Sequence, residues 1–346
     1  MENPGQISKV KVAILGATGY TALEIIEILL RHPQAEIVAA TSRSDESVSL
    51  AEIHPRLNRR ISLATRKFNV SELVSQGVST AFSCLPHGAS ADSVRELMLA
   101  RIRVIDLSAD YRLRNPDDQM RWYGHVHRDI ENLEHAVYGL PEFYQSRIRS
   151  CRLAANPGCY PQTVILGMAP LLRHKLIEPE SIIADCKSGI SGAGRTPSIR
   201  THFPECNESV SAYQLGVHRH TAEIEQELAA IACEHISVLF LPHLVPMERG
   251  ILATITAKAT SAISTMDLQA LFRMEYVDSC FVRVCDDPPC TSQTRHTNFI
   301  DIHVQRIRDR VVVVASIDNL VRGASGVAVQ NFNIMHGFNQ SMGLLP

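Results

Sequence analysis

Residues 10–15 form a largely apolar run that leads directly into Gly16-Ala17-Thr18-Gly19, and the segment after it carries Leu23, Ile26, Leu29 and Leu30 on one helical face. That helix ends near Arg31-His32-Pro33, and a second apolar run occupies 36–41. A strand, a glycine turn, a helix and a second strand at these spacings make a right-handed βαβ unit, the opening of a parallel doubly wound sheet. The pattern resumes as a strand at 79–85, a helix at 89–100 and a strand at 103–107, so the chain reads as α/β to about residue 158.

The rest has another character. The spacing predicts helices over 160–174 and 219–235, and strands near 181–187, 237–242, 250–257, 281–285, 299–305 and 311–317. The runs at 298–305 and 310–317 are separated by a short charged turn, which suits an antiparallel hairpin and not a crossover. The expected architecture is a Rossmann-type doubly wound parallel sheet over 1–158, joined by a C-terminal helix within 320–346, and an α+β domain over 159–319 with a mixed, largely antiparallel sheet. A chain of 346 residues has room for about two such domains.

With 34 Lys and Arg against 36 Asp and Glu there is no basic field to hold nucleic acid or an anionic membrane, which leaves a small molecule as the expected partner. Nine cysteines at 84, 151, 159, 186, 206, 233, 280, 285 and 290 are odd in number and lack C-x-x-C pairs, which argues against a disulfide framework and against zinc. Cys280, Cys285 and Cys290 have the wrong spacing for a zinc knuckle and read as small hydrophobes, so no metal is expected. Glu24 and Glu27 interrupt the apolar stretch that follows Lys9 and Lys11, and no segment approaches the ~18 apolar residues of a membrane span. A cytoplasmic protein in a reducing compartment is expected.

Four motifs carry chemistry. Gly16, Thr18, Gly19, Tyr20 and Thr21 lie between the first strand and the first helix, where backbone N–H groups and the helix N-terminus face a phosphate; a plain tight turn is the competing account. After the second strand stands Thr41-Ser42-Arg43-Ser44, where NAD sites place a carboxylate. The hydroxyl of Ser42 and the Arg43 guanidinium suit the 2′-phosphate of NADP, although Asp45 is near and a solvated loop would look similar. Cys159, in Asn156-Pro157-Gly158-Cys159-Tyr160-Pro161, falls at a helix N-terminus, where the dipole favours a thiolate nucleophile. His218-Arg219-His220 offers it an acid/base and a fork for a carboxylate. The Lys187–Arg195 loop, with glycines 189, 192 and 194, could approach a nicotinamide or serve as a connector, and Arg112 could grip a phosphate or pair with Asp110.

Taken together, GATGYTALE (16–24), FSCLPHGAS (82–90), VIDLSADYRL (104–113), YGLPE (138–142), NPGCYP (156–161), SGISGAGRTP (188–197), HRHTAEIEQEL (218–228), PHLVPMERGIL (242–252) and IDNLVRGASGVAVQNFN (317–333) resemble, in order, the N-acetyl-γ-glutamyl-phosphate reductases of arginine biosynthesis, relatives of the aspartate-semialdehyde dehydrogenases. The resemblance implies that Cys159 attacks an acyl phosphate, expels inorganic phosphate and forms a thioester, which a hydride from NADPH reduces to the semialdehyde. It implies His218 as acid/base with His220 as the alternative, and Arg112, Arg219 and Ser108 at the substrate or its phosphate. It places Pro86, Ser188, Gly189, Gly192, Ala193, Gly194 and Asn319 at the cofactor, and makes the second domain catalytic and oligomerising, in a tetramer or dimer. The sequence departs from the family at Ala22, at Val327 where Gln is usual and at His296 where Gly is common. Competing readings are the same chemistry on aspartyl phosphate or a carrier-linked aminoadipyl or glutamyl phosphate, and a non-catalytic NADP-binding sensor.

Overall fold

The structure, a computed structural model, describes residues 9–345. Seven helices of ten or more residues occur among them: α1 (Tyr20–Leu30), α2 (Ser90–Leu99), α3 (Pro141–Ser150), α4 (Cys159–Arg173), α5 (His220–Ala232), α6 (Thr265–Glu275) and α7 (Gly326–Met335). The chain packs as two compact units, one comprising the residues up to Arg114, Val126–Asn156 and the residues from Ser325, the other Asn115–His125 and Pro157–Ala324.

In the first unit, β1 (Val10–Leu15), β2 (Ala35–Ala40), β3 (Thr80–Ser83), β4 (Arg103–Asp106), β5 (Val137–Tyr138) and β6 (Leu153–Ala155) form one sheet in the order β2-β1-β3-β4-β6-β5, every pair parallel. Strand order reverses at β1, so the first unit is doubly wound, as the leading βαβ pattern requires. Central strands of such a sheet are covered on both faces and read as near-continuous apolar runs, and β3 is buried throughout. On one face Leu15, Ala81, Val94, Leu97 and Val104 share a core; helix α7 belongs to this unit, with the Phe332 ring 5.7 Å from that of Phe82. Because β1 to β4 run parallel, the loops at their C-terminal ends collect at one sheet edge.

The second unit holds a seven-stranded sheet in the order β11-β12-β13-β10-β7-β9-β8, from β7 (Ile182–Ser188), β8 (Ser211–Ala212), β9 (Val238–Leu244), β10 (Ile251–Lys258), β11 (Val282–Val284), β12 (Ile300–Ile307) and β13 (Arg310–Ile317). The β12–β13 hairpin, β13–β10, β10–β7 and β9–β8 are antiparallel, and β11–β12 and β7–β9 are parallel, so the sheet is mixed and largely antiparallel. Helix α4 is buried from Tyr160 to Leu172. Pro170 within it lacks the N–H that would serve the Leu166 carbonyl, and the Tyr276 hydroxyl donates to that carbonyl instead. The opposite sheet face is only half buried: Ile183, Asp185 and Lys187 of β7 lie there in register with Thr256, Thr254 and Leu252 of β10, and the short helix Thr291–Thr294 meets it at Ser316.

The departure at His296 has a backbone basis. Its φ is +63°, a region that favours glycine, and its N–H donates to the Asp318 carboxylate at 2.7 Å, which holds the residue there.

Candidate active site

In the first unit, the glycine loop joins β1 to α1. Gly16 has φ +72°, and a Cβ there would come 2.8 Å from the Cys84 carbonyl oxygen, so only glycine fits. The Ala17 N–H donates to the Thr41 carbonyl at 2.9 Å and ties this loop to the end of β2. Gly19, the N-cap of α1, offers no side-chain acceptor to the first-turn N–H groups, which suits an anionic ligand at that end. Gly16, Thr18, Gly19, Tyr20 and Thr21 are thereby grouped next to Ser42 and Arg43, although the Thr21 hydroxyl turns inward to Cys84. Asp45 is engaged by Lys67 at 2.9 Å, while Arg43 is exposed with no carboxylate partner among the described residues.

The loops after β3 and β4 are locked by buried carboxylates. Asp110 accepts from the N–H groups of Gly88, Ser90 and Ala91 and so caps α2. Asp106 accepts from the hydroxyls of Ser90 and Ser108, both at 2.6 Å; burial, then the Asp110 charge, push its carboxyl up to about 6 against those hydrogen bonds. Ser108, expected at the substrate, is buried with its hydroxyl joined to Asp106 and Asp110 and serves to shape the loop. Arg112, expected at the phosphate, is likewise buried: Nε donates to the Asn156 carbonyl at 2.7 Å and Nη2 to that of Leu107 at 2.9 Å. Pro86 stands exposed in the same set of loops.

In the second unit, Cys159 is the first residue of α4, over the positive end of a 15-residue helix. Gly158 precedes it as N-cap, and its N–H donates to Glu223 Oε1 at 2.7 Å. Glu223 is fully buried on α5, one turn after His218-Arg219-His220, so one hydrogen bond fixes the nucleophile's backbone to the helix that carries its partners. Gly323 lies against Cys159 from another side, and a Cβ there would stand 2.8 Å from the Cys159 Cβ. Gly323→Ala is therefore expected to displace the sulfur and lower kcat about 100-fold with cofactor affinity retained, as steady-state kinetics and cofactor titration would read.

Cys159, Tyr160, Ser188, Gly192, Ala193, Ser198, Arg200, Thr201, Tyr213, Gln214, His218, Arg219, His220 and Leu244 line one cavity of about 250 Å³. His218 is almost wholly buried among the rings of Tyr160, Tyr213, Phe240 and His220, with centroids at 4.8 to 5.8 Å. Burial, and secondarily the Arg219 charge, pull its imidazole down to about 4. Its Nδ1 accepts the His220 backbone N–H at 3.1 Å, so the neutral ring carries its proton on Nε2 and is a hydrogen-bond donor at neutral pH. Tyr213 donates to the Tyr160 hydroxyl at 3.1 Å, and burial raises the Tyr213 phenol to about 12. Burial likewise raises the thiols of Cys84 and Cys151 to about 12, which keeps them protonated and unreactive.

The cavity thus gathers Cys159, Ser188, Gly192, Ala193, His218, Arg219 and His220. Gly189 and Gly194 flank it in the same loop, and Asn319 shapes that loop by accepting from the Gly250 N–H at 2.7 Å and donating to Ser191 Oγ at 3.0 Å. Glu223, Tyr213, Arg200 and Gly323 escaped sequence reasoning. Glu223 had a signal, a carboxylate one turn beyond the His-Arg-His on the same helix; the others are brought in by tertiary structure. All nine cysteines are free thiols, and no group of three metal-ligating side chains occurs among the described residues.

Residues 11–151 match the family model described as semialdehyde dehydrogenase, NAD binding domain, and 159–319 that described as semialdehyde dehydrogenase, dimerisation domain. Among curated proteins, the chain is 46% identical to the N-acetyl-gamma-glutamyl-phosphate reductase of Rhodopirellula baltica over 98% of this chain and 99% of that one. It is 44% identical to the Syntrophobacter fumaroxidans protein of the same name, over 96% and 97%. Among solved structures, aspartate semialdehyde dehydrogenase II of Vibrio cholerae, complexed with ASA, shares the fold at TM-score 0.70 and 17% identity, covering 96% of this chain and 99% of that one. The Candida albicans aspartate semialdehyde dehydrogenase with NADP aligns at TM-score 0.69 and 16% identity, over 95% and 99%. Full-length likeness at this level places the chain in a family: it belongs to the N-acetyl-gamma-glutamyl-phosphate reductases, within the semialdehyde dehydrogenases.

Proposed function

We propose that the protein reduces N-acetyl-γ-glutamyl phosphate to N-acetylglutamate semialdehyde and inorganic phosphate, with NADPH as reductant. The observation that carries this reading is the Cys159 cavity, where a thiol at a helix N-terminus, a neutral imidazole donor and a guanidinium meet. The Cys159 thiolate attacks the acyl carbon, the carbon–oxygen bond to phosphorus breaks, and phosphate leaves with that electron pair. The bound cofactor supplies the hydride that reduces the resulting thioester. His218, through Nε2–H, stabilises the oxyanion formed at each addition without giving up its proton. Collapse of the second oxyanion breaks the carbon–sulfur bond, returns the electron pair to the Cys159 thiolate and releases the aldehyde, and the proton consumed overall is taken up by phosphate. Arg219 pairs with the substrate carboxylate, and Arg112 positions the Asn156 carbonyl ahead of the nucleophile.

Gly16, Thr18, Gly19, Tyr20 and Thr21 would hold the cofactor pyrophosphate through their backbone, with Ser42 and Arg43 at the 2′-phosphate. Arg43→Ala is expected to weaken NADPH about tenfold or more and NADH less than about twofold, as fluorescence titration would show; equal losses would remove Arg43 from the site. The half-buried sheet face of the second unit supports a homo-oligomer, with a second copy covering that face, as a dimer or tetramer. No helix among the described residues is long and apolar enough to cross a membrane, and a cytoplasmic location fits the free thiols.

Incubation with the acyl phosphate and no cofactor tests the chemistry directly. The Cys159 peptide should gain the mass of one N-acetylglutamyl group, and acylation elsewhere or nowhere would defeat the reading.

A further inference from the structure

The cavity around Cys159 is lined by two guanidiniums, those of Arg200 and Arg219, and by no carboxylate. Neither cation has a carboxylate partner among the described residues. Each lies instead over an aromatic ring, Arg219 at 5.7 Å from the Tyr123 centroid and Arg200 at 5.9 Å from that of Tyr213. Two unneutralised cations beside a nucleophile make a site for a small molecule with two anionic groups. The acyl phosphate of the proposed function has two, a carboxylate and a phosphoryl group.

The two cations are not equivalent. Arg219 begins α5 between the two histidines, whereas Arg200 stands exposed in a 3-10 turn with Ser198 and Thr201, whose hydroxyl oxygens are 2.9 Å apart. A carboxylate is satisfied by one planar fork, but a phosphate has three peripheral oxygens and accepts from a fork and further donors together. A leaving group must also escape, which favours the exposed side of the cavity. We propose that Arg200, with the Ser198 and Thr201 hydroxyls, is the receiving site for the phosphate expelled from the acyl carbon, leaving Arg219 to the carboxylate. The assignment of the phosphate as a leaving group rests on the function proposed above; the anion site itself does not.

Alkylation of Cys159 reads the site without turnover. Iodoacetamide labelling is followed at the Cys159 peptide by mass spectrometry, at constant ionic strength, with increasing inorganic phosphate. Phosphate should protect the wild-type thiol. With each curve scaled to its own unprotected labelling rate, Arg200→Gln should raise the half-protecting concentration about tenfold or more, and Arg200→Lys should fall between, because it keeps the charge and loses the fork. Superimposable protection curves for wild type and Arg200→Gln, with unchanged thermal unfolding, would overturn the proposal. Phosphate protection that depends on Arg200 in a protein that does not acylate Cys159 from the acyl phosphate would instead overturn the proposed function and leave the anion site standing.

Discussion

Replacing Cys159 by Ser is expected to reduce turnover by about 1,000-fold or more while NADPH binds as before, because a serine hydroxyl at neutral pH is a far weaker nucleophile than a thiolate. Of the two imidazoles that line the cavity, that of His218 accepts at Nδ1 from a backbone N–H and presents a protonated nitrogen as its other face. Sulfur needs no such base when the helix terminus supports its anion, and oxygen does. The glycine loop proposed for the cofactor pyrophosphate belongs to the first unit and Cys159 to the second, so the substitution changes no residue of that loop. Steady-state kinetics with a parallel cofactor titration checks both halves, and activity within about tenfold of wild type would remove Cys159 from the mechanism.

The second large effect is at His218, and it separates two roles. As a neutral donor to the oxyanion, the ring is worth about 100-fold to 1,000-fold in kcat, so His218→Ala should lose that much. Gln can still donate an N–H but cannot exchange protons near neutrality, so His218→Gln should recover about tenfold over Ala. Equal losses in Ala and Gln would point to proton transfer instead. The pH dependence carries the same signature. With its folded pKa at about 4, His218 stays neutral from pH 8 to pH 5, and kcat should show no acid limb from this group in that range. For stability the sign is that of a base whose pKa is depressed by folding: its contribution is complete above the unfolded value of 6.5 and is lost as pH falls from 6.5 towards 4, by about 3 kcal/mol. Urea unfolding of wild type against His218→Gln across that window would show the wild type losing stability more steeply.

Much of this was legible in the sequence because the elements concerned repeat a period. β1, α1 and β2 announce themselves through alternating and helical spacing around a glycine turn, and the β12–β13 hairpin through two apolar runs and a charged turn. Helix α6 was not read, since only Leu268 and Phe272 are buried along it; its Ser264 cap, which accepts from the Asp267 N–H, was the available signal. The helices Leu50–Ile53 and Val70–Ser75 span less than two turns and have no period to show. Cys159 and His218 stand out in the sequence because Cys159 opens a helix and His218 lies just before one. Arg200 and Tyr213 lie in a stretch with no periodicity, 195–217, and only the folded chain brings them to Cys159. Ser108 and Arg112 show what the sequence did not reveal: the Ser108 hydroxyl donates to Asp106, and two of the Arg112 guanidinium nitrogens donate to the Asn156 and Leu107 carbonyls, so both side chains also hold the loop in shape.

The reverse reaction tests the central claim most directly. Purified protein with N-acetylglutamate semialdehyde, inorganic phosphate and NADP should generate NADPH absorbance, and the signal should vanish without phosphate, with aspartate semialdehyde in place of the acetylated substrate, or in Cys159→Ser. No phosphate-dependent signal with the acetylated substrate, in protein shown to bind NADP, would contradict the account.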